Sequence, residues 1–426
     1  MKFVPSRIGV NRRQFHAAAL ALLARPTRLL GANSIGDVLE AALREHKIPA
    51  AAAMVATSDQ IIYSGAFGTR DSRSGAKVTT DSLFGIASMT KVITSTAAMQ
   101  LVEQGKLALD EPAARHLPEL ASVNVLQGFD SARRPILKPT GKPVTLRLLL
   151  SHTSGFAYDT WNQSMSRYVV SVLPTALTKP AYPSVLWGRV PPTAICEPGT
   201  CWQYGTSADW TARLVEAASG QNLSQYFQNN IFAPLKMKDS AYDLSPAQFE
   251  RTVSIYARQD DGSLKELPRN PPSSRHAYWG GTGVYTTVVD YTRLMQMFLK
   301  QGRGPGNVQI LKPDSVHQMA SNQIGDLSAG KTKNYTGKVW QDVDFHPGAS
   351  DAFGLGFLIN RTPYQGGRSA GSLAWVGGWN TFFWIDPSRK ICAILMMQFQ
   401  PFFDPAAIAV LKTFEQAVYR TVAPTA

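Results

Sequence analysis

The two ends of the chain mirror each other, and this symmetry limits the available folds more than any other feature of the sequence. Near the N-terminus, Ile35, Val38, Leu39, Ala42 and Leu43 fall at helical spacing and mark an amphipathic helix that ends before Pro49. Two apolar runs follow, Ala51 to Ala56 and Ile61 to Phe67, with Ser58-Asp59-Gln60 between them as a turn, which spells a hairpin. Toward the C-terminus the order reverses. Gly371 to Val376, Trp379 to Ile385 and Ile391 to Gln398 are strand-like, Asp386-Pro387-Ser388-Arg389 is a turn, and a last helix carries Ile408, Leu411, Phe414 and Val418 on one face. The expectation is an α+β fold, an α/β sandwich in which both chain ends build one antiparallel sheet flanked by terminal helices.

Between the ends, from about 100 to 300, the chain reads as helical with long proline- and glycine-rich connections, notably Pro135 to Pro143, Pro174 to Pro198 and Pro268 to Pro272. This stretch is expected to form a mostly helical second lobe, with a substrate cleft between it and the sheet. A length of 426 residues suits one large catalytic unit or two modest ones, and 44% hydrophobic against 17% charged residues excludes global disorder. No internal repeat interrupts the reading.

The net charge of +13 first suggests a polyanionic partner. Six of those charges, Lys2, Arg7, Arg12, Arg13, Arg25 and Arg28, lie in the first 32 residues, which contain no acid, leaving +7 for the rest. There Asn11-Arg12-Arg13-Gln14-Phe15 precedes the apolar run Ala17 to Ala24 and the small-residue ending Leu30-Gly31-Ala32, the layout of a twin-arginine export signal over 1–32, followed by a domain over 33–426. The expectation is a periplasmic or secreted protein, the alternative a cytoplasmic one with a basic tail. The remaining positive charges are scattered, and the densest cluster, Arg133-Arg134 to Lys142, is broken by prolines and reads as a solvated loop, so no nucleic-acid partner is expected. No apolar run approaches the ~18 residues of a membrane span, so no stable membrane insertion is expected either.

Three cysteines make no disulfide framework. Cys196 and Cys201 could bridge after export, while Cys392, in the apolar run Ile391 to Met397, reads as a core thiol. No histidine accompanies the Cys196/Cys201 pair, so no metal site is expected there, and no cofactor is expected either.

Two serines are candidate nucleophiles. Gly367-Arg368-Ser369-Ala370-Gly371 matches Gly-x-Ser-x-Gly, but Ser369 precedes a strand and the last histidine is His346, so the later histidine that an α/β-hydrolase needs is missing. The second is Ser88-Met89-Thr90-Lys91, followed by Val92, Ile93, Ala97 and Leu101 up to Gly105. Serine and lysine three apart at a helix start share one face, so the amine can reach the hydroxyl. The partial positive charge of the helix start favours an alkoxide at Ser88 and, with burial, disfavours the ammonium form of Lys91, and a neutral lysine is a usable base.

Around this pair stand Leu148 to Leu150 with Ser151-His152-Thr153-Ser154-Gly155, Glu197-Pro198-Gly199-Thr200 with Tyr204-Gly205-Thr206, Gly280-Gly281-Thr282-Gly283-Val284-Tyr285, and Trp375-Val376-Gly377-Gly378-Trp379-Asn380. In this order, from about residue 35 to 420, they resemble the serine β-lactamase and penicillin-binding superfamily, closest to its esterase branch, the family VIII carboxylesterases. The resemblance implies a β-lactamase-type fold. It also implies Ser88 as acylated nucleophile, Lys91 as its proton partner, Tyr204 in the same proton network, and an oxyanion hole from the backbone N–H groups of Ser88 and Gly378. Tyr158, Trp161, Trp187, Trp375 and Trp379 are candidate pocket walls, and His152 is expected to be structural.

Two departures bear on the substrate. Thr206 stands where β-lactamases carry an asparagine, and Trp375-Val376-Gly377 replaces their Lys-Thr-Gly, which removes the cation that would engage a β-lactam carboxylate. The expected partner is therefore a small-molecule ester, cleaved through a Ser88 acyl-enzyme that an alcohol could also intercept. The alternatives are a β-lactamase or D-amino-acid peptidase, and a penicillin-binding sensor that acylates without turnover.

Overall fold

In the computed structural model, residues 34–172, 192–269 and 277–422 are described. The export-signal reading over 1–32, Trp187 and most of the Pro174 to Pro198 segment lie outside them. The elements that frame the site are helix α1 (Ile35–Glu45), strands β1 (Ala50–Thr57), β2 (Ile61–Asp71) and β3 (Ala76–Lys77), helices α2 (Thr90–Glu103), α3 (Ser207–Ser219) and α4 (Val288–Leu299), strands β4 (Ala352–Phe353), β5 (Leu358–Ile359), β6 (Leu373–Gly377), β7 (Thr381–Asp386) and β8 (Ile391–Met397), and helix α5 (Pro405–Thr421). Among the described residues the strands form one eight-stranded sheet in the order β4-β5-β6-β7-β8-β1-β2-β3, with every pairing antiparallel. Within it β1 pairs with β8, Ala51 opposite Met397 through Thr57 opposite Ile391, so the two chain ends do meet in one sheet.

Alternation of side chains sends each central strand into two cores. Ala52, Met54 and Ala56 of β1 join Cys392, Ile394 and Met396 of β8 in one core, packed against α4 and continuous with α2 and α3. Ala51, Ala53 and Val55 join Ala393, Leu395 and Met397 in the other, under α1 and α5, which also pack on each other. Being covered on both faces, these strands are apolar without a polar side. The alanines of β1 leave room for helices to approach closely.

Helix α2 is buried nearly all round, from Thr90 to Leu101, which explains its lack of a polar face. Two of its polar side chains bond outside the helix: Thr94 Oγ1 donates to the Gly280 carbonyl at 2.7 Å, and Gln100 Nε2 donates to the carbonyls of Asn230 and Ile310 at 3.0 and 3.1 Å. One expected connection is different. Pro135–Pro139 is a strand paired antiparallel with Asn124–Phe129, and it lies at the edge of its three-stranded sheet, where a proline's missing N–H costs no ladder bond. The Gly-x-Ser-x-Gly segment is structural: Arg368 is buried against Glu415 and the Ser369 N–H donates to Asp386.

Candidate active site

Ser88 sits in a single 3-10 turn, Ala87–Met89, that runs directly into α2. Ala87 adopts φ +41°, a region that residues with a Cβ avoid, and the surroundings hold it there. The preceding strand Phe84–Gly85 pairs with Tyr285–Thr286, the Ile86 N–H donates to the Val284 carbonyl at 3.0 Å, and the Gln398 amide both accepts from the Gly85 N–H (3.0 Å) and donates to the Gly85 carbonyl (3.2 Å). From the sheet side Gly377 closes on the same turn. A Cβ there would stand inside contact distance of the Ile86 carbonyl oxygen and Thr381 Oγ1. The adjacent Gly378 lies beside Ala87, its Cβ position 3.8 Å from the Ala87 methyl and 3.2 Å from the Trp340 ring.

The structure brings Ser88, Lys91 and Tyr204 together. Lys91, 3% exposed, donates from Nζ to Ser88 Oγ at 3.1 Å, to the Gly281 carbonyl at 2.9 Å and to the Tyr158 oxygen at 3.4 Å. The Tyr204 hydroxyl donates to Ser88 Oγ at 2.7 Å, and the Lys91 amine lies 4.9 Å from the centre of the Tyr204 ring. Ser88 Oγ therefore has one proton partner on either side.

Tyr204 is set by its neighbours. His152 meets its ring edge-on at 5.2 Å, as does Trp375, also at 5.2 Å. The loop leading to Tyr204 is tied to the His152 segment by Gln203 N–H to the His152 carbonyl (2.8 Å) and Gly199 N–H to the Thr153 carbonyl (2.7 Å), and it is closed by the Cys196–Cys201 disulfide. His152, at φ +58°, is caged by Trp202, Tyr204, Phe353 and Trp375. Burial, with the charge of Lys91 second, pushes its imidazole down to about 3, so it is neutral at working pH and packs rather than titrates.

The aromatic residues read as pocket walls divide. Tyr158 is a member of the hydrogen-bond network rather than a plain wall, since its oxygen meets Lys91 and its hydroxyl bonds the Asp209 carboxylate. Trp375 is buried and meets the Tyr204 ring edge-on, so it supports the tyrosine. Trp161 packs edge-on against Trp340 (5.4 Å) and Phe402 (6.3 Å), and this set stands over Gly378 through Trp340. Trp379 lies half-buried against Gly85. A separate cavity of about 610 Å³, lined by Phe345, Trp375, Phe403 and Leu411 among others, reaches none of Ser88, Lys91 and Tyr204.

Sequence reasoning missed Asp209, Gln398 and Trp340. Asp209 lies in the first turn of α3 and its Oδ1 accepts the Gly281 N–H at 2.8 Å. Burial pushes its carboxyl up, opposed by the Lys91 charge, the Gly281 N–H and the Tyr158 hydroxyl. An acid in a first helical turn looks like an ordinary dipole partner, so nothing local marked it. Among the described residues no cluster of His, Cys, Asp or Glu could hold a metal ion, and no helix is long and apolar enough to cross a membrane.

The family model described as Beta-lactamase matches residues 35–415. The chain is 30% identical to the monacolin J acid methylbutanoyltransferase of Aspergillus terreus, over 89% of this chain and 93% of the relative. It is 29% identical to the lovastatin esterase of Penicillium rubens, over 84% of this chain and 91% of the relative. Among solved structures, the unliganded simvastatin synthase of Aspergillus terreus superposes with a TM-score of 0.75 at 28% identity, covering 90% of this chain and 96% of that one.

Proposed function

The chain belongs to the Beta-lactamase family of serine hydrolases and penicillin-binding proteins, and from that premise we propose that residues 33–426 act as one serine ester hydrolase that cleaves small or short-chain carboxylic esters and can pass the acyl group to an alcohol. The observation that carries this reading is Ser88 Oγ held between Lys91 Nζ at 3.1 Å and Tyr204 Oη at 2.7 Å, beside the Gly378 backbone.

Ser88 is the nucleophile. Its proton passes to Lys91 or Tyr204 as Oγ bonds the ester carbonyl carbon, and the same pair returns a proton to the leaving alcohol as the C–O bond breaks. The N–H groups of Ser88 and Gly378 take the developing oxyanion. Water or an alcohol then attacks the acyl-enzyme by the reverse proton route, regenerating Ser88. This single intermediate accommodates both relatives, one described as a transferase and one as an esterase.

The preference for a neutral ester is supported by Trp375-Val376-Gly377 in place of a lysine-bearing strand and by the aromatic set Trp161, Trp340 and Phe402 beside Gly378. Turnover of p-nitrophenyl acetate and butyrate, with and without an added alcohol, tests the reading beside nitrocefin. Ester turnover abolished in Ser88→Ala is the expected result. Undiminished turnover in that variant, or nitrocefin turned over faster than every ester, overturns it.

Export to the periplasm or beyond is part of the same proposal. The Cys196–Cys201 bond supports it, since disulfides persist in oxidising compartments. Residues 1–32 fused to a reporter are expected to send it out of the cytoplasm, and cytoplasmic retention contradicts this.

A further inference from the structure

Asp209 takes no direct part in the contacts of Ser88, yet it holds both other groups that receive Lys91. Its Oδ1 accepts the Gly281 N–H at 2.8 Å, and its carboxylate accepts the Tyr158 hydroxyl. Gly281 presents its carbonyl to Lys91 Nζ at 2.9 Å, and Tyr158 presents its oxygen at 3.4 Å. A phenol that gives its only proton to a carboxylate can only accept from the next donor. With Ser88 Oγ at 3.1 Å, these acceptors account for all three N–H bonds of an ammonium group.

The consequence appears when Lys91 is neutral. Two N–H bonds remain, the two acceptors fixed by Asp209 keep them, and the lone pair falls on the side of Ser88. We propose that Asp209 and Tyr158 are positioning residues that orient the Lys91 amine, fixing the direction of its hydrogen bonds so that the lone pair meets the Ser88 hydroxyl proton. The inference rests on the reading of Ser88 as nucleophile and Lys91 as its proton acceptor. In the step concerned, the Ser88 proton moves to Nζ, the Oγ–acyl bond forms, the ester C–O bond breaks, and the proton ends on the leaving alcohol.

An ordinary helix-start carboxylate would bond its own helix and stay near water. The Asp209 side chain is instead buried, and its bonds run to Gly281 and Tyr158, on two other segments. Burying a carboxylate is costly unless its oxygens are bonded, and both of these bonds converge on the lysine.

The test compares Asp209→Asn and Tyr158→Phe with the unaltered full chain, using p-nitrophenyl butyrate and reading kcat, KM, the pH profile and the thermal midpoint. Asparagine keeps an oxygen for Gly281, but its amide donates to Tyr158, turning the phenol proton onto the lone pair that Ser88 needs. The groups facing Lys91 are Ser88, Tyr158, Tyr204, Asp209 and the neutral His152. Each variant removes a charge or an acceptor that favours the ammonium form, so the acid limb of the profile should move to lower pH in both. The expected loss in kcat is on the order of 100-fold for Asp209→Asn and about 10-fold for Tyr158→Phe, with KM little changed.

A folded Asp209→Asn with unaltered kcat and profile overturns the inference. So does a loss of activity with an unmoved acid limb, which would mark Asp209 as scaffold alone. If Asp209→Asn fails to fold, Tyr158→Phe decides by the same limb, which must move. Failure of the underlying reading is distinct, because it would show as turnover retained in Ser88→Ala.

Discussion

The Tyr204 hydroxyl stands 2.7 Å from Ser88 Oγ although 116 positions separate the two residues. The Ser88 turn is fixed from the sheet side by Gly377 and Gln398, and the tyrosine from the helical side by His152, Trp375 and the disulfide-closed loop. The contact is therefore made by two separately braced segments, and a change in either bracing should reach the chemistry.

Removing only the Tyr204 oxygen tests the contact itself. Tyr204→Phe keeps the ring that packs on His152 and Trp375, so the thermal midpoint should hold while kcat/KM for p-nitrophenyl butyrate falls on the order of 100- to 10,000-fold, the usual worth of a general acid–base group. A loss below tenfold would place the proton route elsewhere.

Gly377→Ala tests the bracing from the sheet. The added methyl meets a backbone carbonyl and a buried threonine hydroxyl, neither of which can swing away, so β6 and the Ser88 turn must separate. Overpacking of this kind costs about 1–3 kcal/mol, read as a lowered unfolding midpoint, and kcat should fall with it. A variant of full activity and stability would show that the close approach of Gly377 to Ile86 is not needed.

The buried His152 makes stability depend on pH. Its imidazole is held down to about 3 from an ordinary value of 6.5, so the unfolded chain binds a proton that the folded one refuses in the interval between. Its contribution is complete above pH 6.5 and is lost as pH falls toward 3, at up to about 1.4 kcal/mol per pH unit. Asparagine tolerates the positive φ of this position, so His152→Asn should fold and should lose less stability between pH 7 and 4 than the unaltered chain. Equal slopes in thermal melts across that range would remove His152 as a source.

Opening the Cys196–Cys201 bond should loosen the loop that ends in Tyr204. Its residue separation of 5 closes a small ring worth about 2 kcal/mol of chain entropy. Reductant is expected to lower the thermal midpoint and kcat together, while Cys201→Ser, already lacking the bond, should not respond. An unaltered kcat in the reduced protein would show that the loop holds Tyr204 without the covalent link.

Which features were legible in the sequence follows from the range of the interactions behind them. The terminal helices and the β1–β8 pairing announce themselves through apolar periodicity, and Ser88 with Lys91 through a spacing of one helical turn. Tyr204 was reached only through its motif's likeness to a known superfamily, because nothing local requires a tyrosine there. The bonds of Gln398 to Gly85 and of Asp209 to Gly281 span 313 and 72 positions and leave no local mark. Pro135–Pro139 misled in the other direction: proline usually signals a connection, but an edge strand tolerates it.

The most direct test of the central claim is the mass of the Ser88 peptide from enzyme quenched during turnover of p-nitrophenyl butyrate. The account predicts one butyryl group on Ser88 that forms while ester remains, disappears once it is consumed, and is lost faster when an alcohol acceptor is added. An unmodified Ser88 peptide trapped in the pre-steady state of an actively turning-over enzyme, with the acyl group found on another residue, would contradict it.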